Sequence, residues 1–193
     1  GGNGLAGVPG KEIEFHHALE LAIRYATALN VPSVNILAGK QPVDADLLPC
    51  LNTLAENLKL ACSMLTQHHI QPVFEMINST DMPRFLVQNI AQAQEMLEAV
   101  KHPALKMQYD CYHMAMMGED VLSALQENIQ DIGHIQFADN PGRHEPESGE
   151  LDYAAIFKWL KHSAYSGYIA AEYRPSLASH QSFAWKDKYF ASP

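Results

Sequence analysis

Apolar residues recur along the chain with two alternating periods. One period returns every three or four residues, which is typical of amphipathic helices, and the other is a short apolar run closed by turn residues, which is typical of buried strands. The helical period predicts helices over Lys11–Asn30, Asp44–His69, Pro83–Val100, Glu119–Asn128 and Asp152–Ser163. The short runs predict strands over Val34–Leu37, Pro72–Asn78, Ala104–Asp110, Ile132–Ala138 and Tyr168–Tyr173.

The two ends of the chain do not follow this alternation. Gly1–Gly10 is rich in glycine and predicts a loop. The tail, Pro175–Pro193, carries Phe183 and Trp185, and we expect it to pack as a capping segment.

Strict strand–helix alternation predicts an α/β fold with parallel strands and right-handed crossovers. Such a sheet is either open and doubly wound or part of a (β/α)8 barrel. A dinucleotide-binding open sheet should show a Gly-rich strand-to-helix turn. The G-x-G-x-x-G of residues 2–7 lies in the first loop, no predicted strand leads into its helix through such a motif, and no P-loop occurs. A barrel takes about 250 residues and eight strands. The hypothesis is therefore a TIM barrel, present as a partial barrel of about five βα units, in which residues 1–193 form a single domain lacking the first three units.

A partial barrel exposes its terminal strands. The predicted strands Val34–Leu37 and Tyr168–Tyr173 would both be open edges, which favour edge-to-edge aggregation. We therefore expect this chain alone to be aggregation-prone or inactive.

Composition limits the classes of partner. The chain is 47% hydrophobic and 18% charged with a net charge of −9, which disfavours nucleic acid because nucleic-acid binding needs a basic surface. No uninterrupted apolar run of about 18 residues occurs, so no membrane span is predicted. The three cysteines lack metal-type spacing and indicate free thiols in a reducing compartment, the cytoplasm. These features fit an enzyme or binding protein for a small molecule.

Four predicted strands carry an oxygen donor near the carboxyl end: Glu75, Asp110, Gln136 and Glu172, spaced 35, 26 and 36 residues apart. In a barrel such side chains converge on one face, where ligand sites lie. Three carboxylates and an amide in one pocket would repel one another unless a cation lay among them. An all-oxygen site suits Mg²⁺ or Mn²⁺ better than Zn²⁺ or copper. The spacing therefore predicts a divalent metal site.

The fourth predicted strand leads into a charged loop. Its amide, Gln136, stands in an apolar run and must be hydrogen-bonded or used in function. The strand breaks at Asp139-Asn140-Pro141-Gly142 into a loop that holds Arg143, His144 and Glu145.

Further residues fit the rim of such a pocket. His113 follows Asp110 by three residues, where it could bind a substrate oxygen. Arg143 has the fork geometry that binds a carboxylate, with a solvated loop arginine as the alternative. Asn78 and Arg174 lie just past Glu75 and Glu172 in the sequence, and we interpret them as residues at the rim of the pocket.

Four motifs together resemble the hydroxypyruvate isomerases, which belong to the xylose isomerase-like TIM barrels alongside the ketose 3-epimerases. The resemblance runs from Gly4 to about Tyr173, and the strand with Gln136 and its loop is the most specific part. The motifs are Glu75-Met76-Ile77-Asn78, Tyr109-Asp110-Cys111-Tyr112-His113, Gly133-His134-Ile135-Gln136-Phe137-Ala138-Asp139 with Pro141-Gly142-Arg143-His144-Glu145-Pro146, and Glu172-Tyr173-Arg174-Pro175.

The resemblance implies roles for these residues. The metal ligands would be Glu75, Asp110, Gln136 and Glu172, and the two glutamates would also be the acid/base pair. The sugar epimerases usually have a histidine where Gln136 stands, which favours the hydroxypyruvate branch.

The implied reaction converts hydroxypyruvate to tartronate semialdehyde (2-hydroxy-3-oxopropanoate). A glutamate would remove a proton to give a cis-enediolate, and a glutamate would return it at the neighbouring carbon, with Mg²⁺ or Mn²⁺ assisting. His113 and Arg143 would hold substrate oxygens, Arg143 those of the carboxylate. The resemblance also implies a cytoplasmic place in carbohydrate and glyoxylate metabolism.

The sequence leaves alternatives open. A ketose 3-epimerase or related sugar isomerase needs the same metal and glutamates, and a non-catalytic sugar-acid or metal-binding barrel would keep the ligands. An endonuclease of this superfamily would need a His-rich multi-zinc site and a basic groove, and the sequence lacks both. Whether the chain is a monomer or a homo-oligomer also stays open.

Overall fold

The computed structural model describes residues 2–190, so Gly1 and residues 191–193 of the predicted capping tail lie outside the described residues. Strands and helices alternate from β1 onward. The strands are β1 (Ser33–Ile36), β2 (Gln71–Glu75), β3 (Lys106–Asp110), β4 (Ile132–Phe137) and β5 (Tyr168–Ala171). The helices are α1 (Glu12–Ala28), α2 (Leu47–Thr66), α3 (Ile90–Val100), α4 (Cys111–Met116), α5 (Val121–Asn128), α6 (Tyr153–His162) and α7 (Ala184–Phe190).

Every predicted strand and helix is present, and several of the predicted bounds need correction. Helix α3 begins at Ile90 rather than at Pro83, because the backbone of residues 85–87 bonds to other loops: Leu86 N–H donates to the Gly39 carbonyl and Ile77 N–H donates to the Val87 carbonyl. Strand β2 ends at Glu75 instead of Asn78.

Strand β5 ends at Ala171, two residues before the predicted end at Tyr173. Glu172 therefore follows the strand, although its N–H still donates to the Phe137 carbonyl at 3.0 Å. Sequence analysis also missed the short helix α4, whose N-cap is Asp110.

The described residues divide within β3 into two compact units, 2–108 and 109–190. In the first unit β1 pairs in parallel with β2, and β2 pairs in parallel with β3, with Glu75 opposite Gln108. Helix α2 turns a fully buried stripe towards this sheet: Leu54, Leu58, Ala61 and Leu65.

In the second unit β4 pairs in parallel with β5, with Gln136 opposite Ala170. An aromatic cluster forms the core beside β4: the ring of Phe137 lies 5.1 Å from that of Phe157 and 5.2 Å from that of Trp185. Trp185 belongs to α7, so this part of the tail packs on the unit as predicted, whereas Phe183 is exposed.

The parallel strand pairs of both units confirm the predicted α/β class. The cysteines, Cys50, Cys62 and Cys111, are buried and free. Among the described helices, none combines the length and the apolar character needed to cross a membrane.

Tyr153 holds the end of β4 in place. Its ring is buried and its hydroxyl donates to the Ala138 carbonyl at 2.6 Å. Tyr153→Phe leaves this buried carbonyl without its donor, so we expect the free energy of unfolding to fall by about 1–2 kcal/mol in urea titrations. Tyr25→Phe is the control, because the Tyr25 side chain is exposed on α1, and the loss there should stay below about 0.5 kcal/mol. Equal losses in the two variants would contradict this account.

Candidate functional site

Glu75 is a buried carboxylate at the end of β2 in the first unit. Its Oε2 accepts a hydrogen bond from Asn35 Nδ2 at 2.7 Å and another from Gln108 Nε2 at 3.0 Å. Asn35 lies on β1 and Gln108 on β3, so each strand that pairs with β2 supplies one amide donor. The carboxylate is thus oriented by two neutral dipoles.

Sequence analysis did not find Asn35 or Gln108. Each is an amide inside a predicted strand, as Gln136 is. They could have been found by looking for amides on the two predicted strands that flank the strand with Glu75.

Asn78 is fully buried and closes the turn that follows β2. Its Oδ1 accepts from the Asp81 N–H at 2.8 Å, and its Nδ2 donates to Asp81 Oδ2 at 3.1 Å. The side chain therefore has a local structural task, and its predicted contact with substrate stays a prediction.

Asp110 is the buried last residue of β3 and begins the second unit's site. Its Oδ1 accepts from the Tyr112 N–H at 2.8 Å and so caps α4. Its Oδ2 has no hydrogen-bond partner among residues 2–190. His113 Nε2 lies 3.8 Å from this oxygen and Arg143 Nη2 lies 3.9 Å from it, both beyond hydrogen-bond range.

Burial dominates the electrostatics of Asp110. Loss of hydration raises the pKa of its carboxyl to about 7, the positive charge of Arg143 opposes this rise, and the negative charge of Glu172 adds to it. A buried carboxylate with one unpartnered oxygen is a group that a cation would stabilise.

Arg143 connects Asp110 to Glu172. Its Nη2 donates to Glu172 Oε2 at 2.6 Å, and its guanidinium lies 5.1 Å from the centre of the Tyr112 ring. The side chain is 22% exposed, so the alternative of a solvated loop arginine is wrong.

The loop backbone around Arg143 is braced on both sides. Arg143 N–H donates to the Asp139 carbonyl at 3.0 Å, and Arg174 N–H donates to the Arg143 carbonyl at 2.8 Å. Glu145 is buried and accepts from both the N–H and the hydroxyl of Ser176, at 2.9 and 2.6 Å. These bonds hold the loop backbone at Arg143, which is left-handed with φ of 57°.

Gln136 and Glu172 differ in burial from the other predicted ligands. Gln136 is partly buried on β4, and the Glu172 side chain is 50% exposed. His134, two residues before Gln136, is partly buried, and this burial lowers the pKa of its imidazole and favours the neutral ring.

The structure therefore gathers the predicted residues in part. In the second unit it brings Asp110, His113, Arg143 and Glu172 together, and in the first unit it surrounds Glu75 with amides. Glu75, Asp110 and His113 are buried, and each offers a ligand atom that a metal ion could use. The catalytic, substrate-binding and ligand roles stay predictions.

The raised pKa of Asp110 makes a prediction about pH. A carboxyl whose folded pKa lies above its unfolded value loses stabilisation as pH rises, because the folded state resists giving up the proton. In metal-free buffer, Asp110→Asn keeps the helix cap and removes this penalty. We expect its unfolding free energy, relative to wild type, to improve by about 1–4 kcal/mol between pH 4.5 and pH 7.5, at about 1.4 kcal/mol per unit of pKa.

Asp120→Asn is the control for that comparison. Asp120 caps α5 in the same way by accepting from the Ser123 N–H at 2.9 Å, but it is exposed and its hydrogen bonds lower its pKa. Its variant should show no gain with rising pH. A stability difference between Asp110→Asn and wild type that does not change with pH would refute the assigned penalty.

Comparison with known proteins identifies the family of the chain. A family model described as xylose isomerase-like TIM barrel matches residues 2–189. The chain is 38% identical to hydroxypyruvate isomerase of Escherichia coli over 189 residues, covering 98% of this chain and 73% of that protein. It is 35% identical to 2-oxo-tetronate isomerase of Cupriavidus necator over 189 residues, with the same coverage, 98% and 73%.

A solved structure, described as AP endonuclease, family 2 from Brucella melitensis, superposes with a TM-score of 0.92 at 30% identity, covering 96% of this chain and 72% of that one. The resemblance to hydroxypyruvate isomerases and the predicted barrel fold are confirmed. The chain belongs to the xylose isomerase-like TIM barrel family.

Proposed function

We propose that this chain is an isomerase that interconverts hydroxypyruvate and tartronate semialdehyde by metal-assisted proton transfer through a cis-enediolate. Similarity to curated hydroxypyruvate and 2-oxo-tetronate isomerases supports isomerase activity. The structural observation that carries the proposal is Glu75, a buried carboxylate oriented by two amide donors at the carboxyl end of a parallel strand. This is the end of the strands where TIM barrels place their catalytic groups.

The residues fit a divalent cation. Asp110 has a buried oxygen with no hydrogen-bond partner among the described residues, and the proposed ligands Glu75, Asp110, Gln136 and Glu172 all offer oxygen. Oxygen donors favour Mg²⁺ or Mn²⁺. When bound, the cation would act as a Lewis acid on the substrate carbonyl and hydroxyl and so acidify the carbon that bears the hydroxyl.

The two glutamates then move the proton. One carboxylate removes a proton from the hydroxymethyl carbon of hydroxypyruvate, which gives the cis-enediolate. A glutamate returns a proton to the neighbouring carbon, the former carbonyl carbon. The hydroxyl proton moves to the former carbonyl oxygen, and the product is tartronate semialdehyde. The net change moves two hydrogens within the substrate and needs no oxidant.

Arg143 and His113 hold the substrate in this proposal. The guanidinium is fixed by Glu172 and Tyr112, so its remaining donors are already oriented for a carboxylate. His113 is buried three residues after Asp110, where it would bind a substrate oxygen.

A second candidate substrate is a 2-oxo-tetronate, because the relative from Cupriavidus necator carries that name. A ketose 3-epimerase or a non-catalytic sugar-acid-binding barrel would use the same residues. An AP endonuclease function, the name of the Brucella structure, is less favoured because a net charge of −9 opposes binding to phosphate backbones. The proposal includes a cytoplasmic location and a place in glyoxylate metabolism.

Removing either glutamate tests the mechanism. Glu75→Gln and Glu172→Gln keep the side-chain shape and remove the base, so we expect kcat for hydroxypyruvate to fall by about 10²–10⁴-fold. Glu150→Gln is the control, because Glu150 is an exposed carboxylate of the second unit, and its kcat should match wild type. Circular dichroism and urea unfolding check that each variant folds. Near-normal turnover in either site variant would remove that glutamate from the mechanism.

A further inference from the structure

We propose that Asn35 and Gln108 are positioning residues that fix the carboxylate of Glu75 for its task in the site. The inference rests on the proposed function, because it assigns that task to Glu75. It adds two residues that neither touch the reacting atoms nor belong to the predicted ligand set.

The geometry shows a carboxylate held from both sides. Both amide groups donate to the same oxygen, Oε2, at 2.7 Å from Asn35 and 3.0 Å from Gln108. The donors come from the two strands that flank β2, and Gln108 is the register partner of Glu75. Two bonds from opposite sides to one oxygen leave the carboxylate little freedom to rotate.

The two hydrogen-bond donors to Glu75 are neutral amides and carry no positive charge. A lysine or arginine at either position would neutralise the carboxylate and weaken it as a base and as a metal ligand. Neutral amides orient the group and leave its net charge available. Outer hydrogen bonds of this kind set the orientation of metal-binding carboxylates in many proteins.

The hydrogen bonding of Asn35 indicates that its side chain is oriented to donate to Glu75. Its Oδ1 is buried and has no hydrogen-bond partner among the described residues. An amide that served only the fold would be expected to satisfy both ends, since a buried unpaired acceptor costs free energy. The bond from Nδ2 to Glu75 therefore determines how this side chain is placed.

The test replaces each amide by an apolar side chain of similar size, Asn35→Leu and Gln108→Met. The readouts are the affinity of the metal-free protein for Mn²⁺ alone, measured by calorimetry, and kcat and KM for hydroxypyruvate. We expect Mn²⁺ affinity or kcat to fall by about 10–100-fold, the range seen for lost outer-shell partners, with KM changed by less than about threefold. Asn35→Asp and Gln108→Glu turn a donor into a like charge and should lose at least as much.

Asn57→Leu is the matched control for structural damage. Asn57 is a buried amide of the same unit and donates to the Ala6 carbonyl at 2.7 Å, away from Glu75. Its variant should lose stability in urea while Mn²⁺ affinity and kcat stay within about twofold of wild type.

The outcomes separate this inference from the proposed function. If wild type binds Mn²⁺ and turns over but the Asn35 and Gln108 variants stay within twofold, the positioning role is overturned and the function stands. If Asn57→Leu loses as much affinity and kcat as they do, the effect is general loosening, and the positioning role again falls. If folded wild type neither binds Mn²⁺ nor turns over, the proposed function fails first and the positioning role with it.

Discussion

The cost of burying carboxylates is the constraint on which this site depends. Glu75 and Asp110 each end a strand inside the protein, where a charged oxygen loses its hydration. The two positions offset this cost differently. Glu75 accepts two amide hydrogen bonds, whereas Asp110 accepts from the Tyr112 N–H and has one oxygen without a hydrogen-bond partner among residues 2–190. Buried carboxylates with perturbed surroundings are typical of functional sites.

Glu172, the second glutamate of the proposed acid/base pair, is held by an ion pair with Arg143. Glu172 is half exposed and pairs with Arg143, whose backbone is fixed by the loop that follows β4. The two glutamates of the proposed acid/base pair therefore lie in unlike environments, one held by neutral dipoles and the other by a guanidinium. Unlike surroundings are how enzymes give two carboxylates separate roles. In the second unit, the charged loop and the buried carboxylate of Asp110 provide the kind of groups that a small keto acid would need.

Sequence periodicity predicted the alternating strands and helices, because apolar side chains must face a core at a fixed spacing. It also identified Glu75 and Asp110, since acids inside apolar runs stand out. It did not predict the late start of α3, where backbone groups bond to distant loops, or the helix α4, which is too short to show a period. Asn35 and Gln108 were missed because their importance lies in bonds across strands, which a single segment does not reveal.

The most direct measurement is isomerisation of hydroxypyruvate after chelation and then after addition of Mg²⁺ or Mn²⁺. It should be made on the chain as it stands and on the chain extended by three further βα units, the number that brings its five strands to the eight of a (β/α)8 barrel. The account predicts tartronate semialdehyde formation that chelation abolishes and the metal restores, in at least one form. No turnover in either folded form, or turnover that chelation leaves unchanged, would contradict the account.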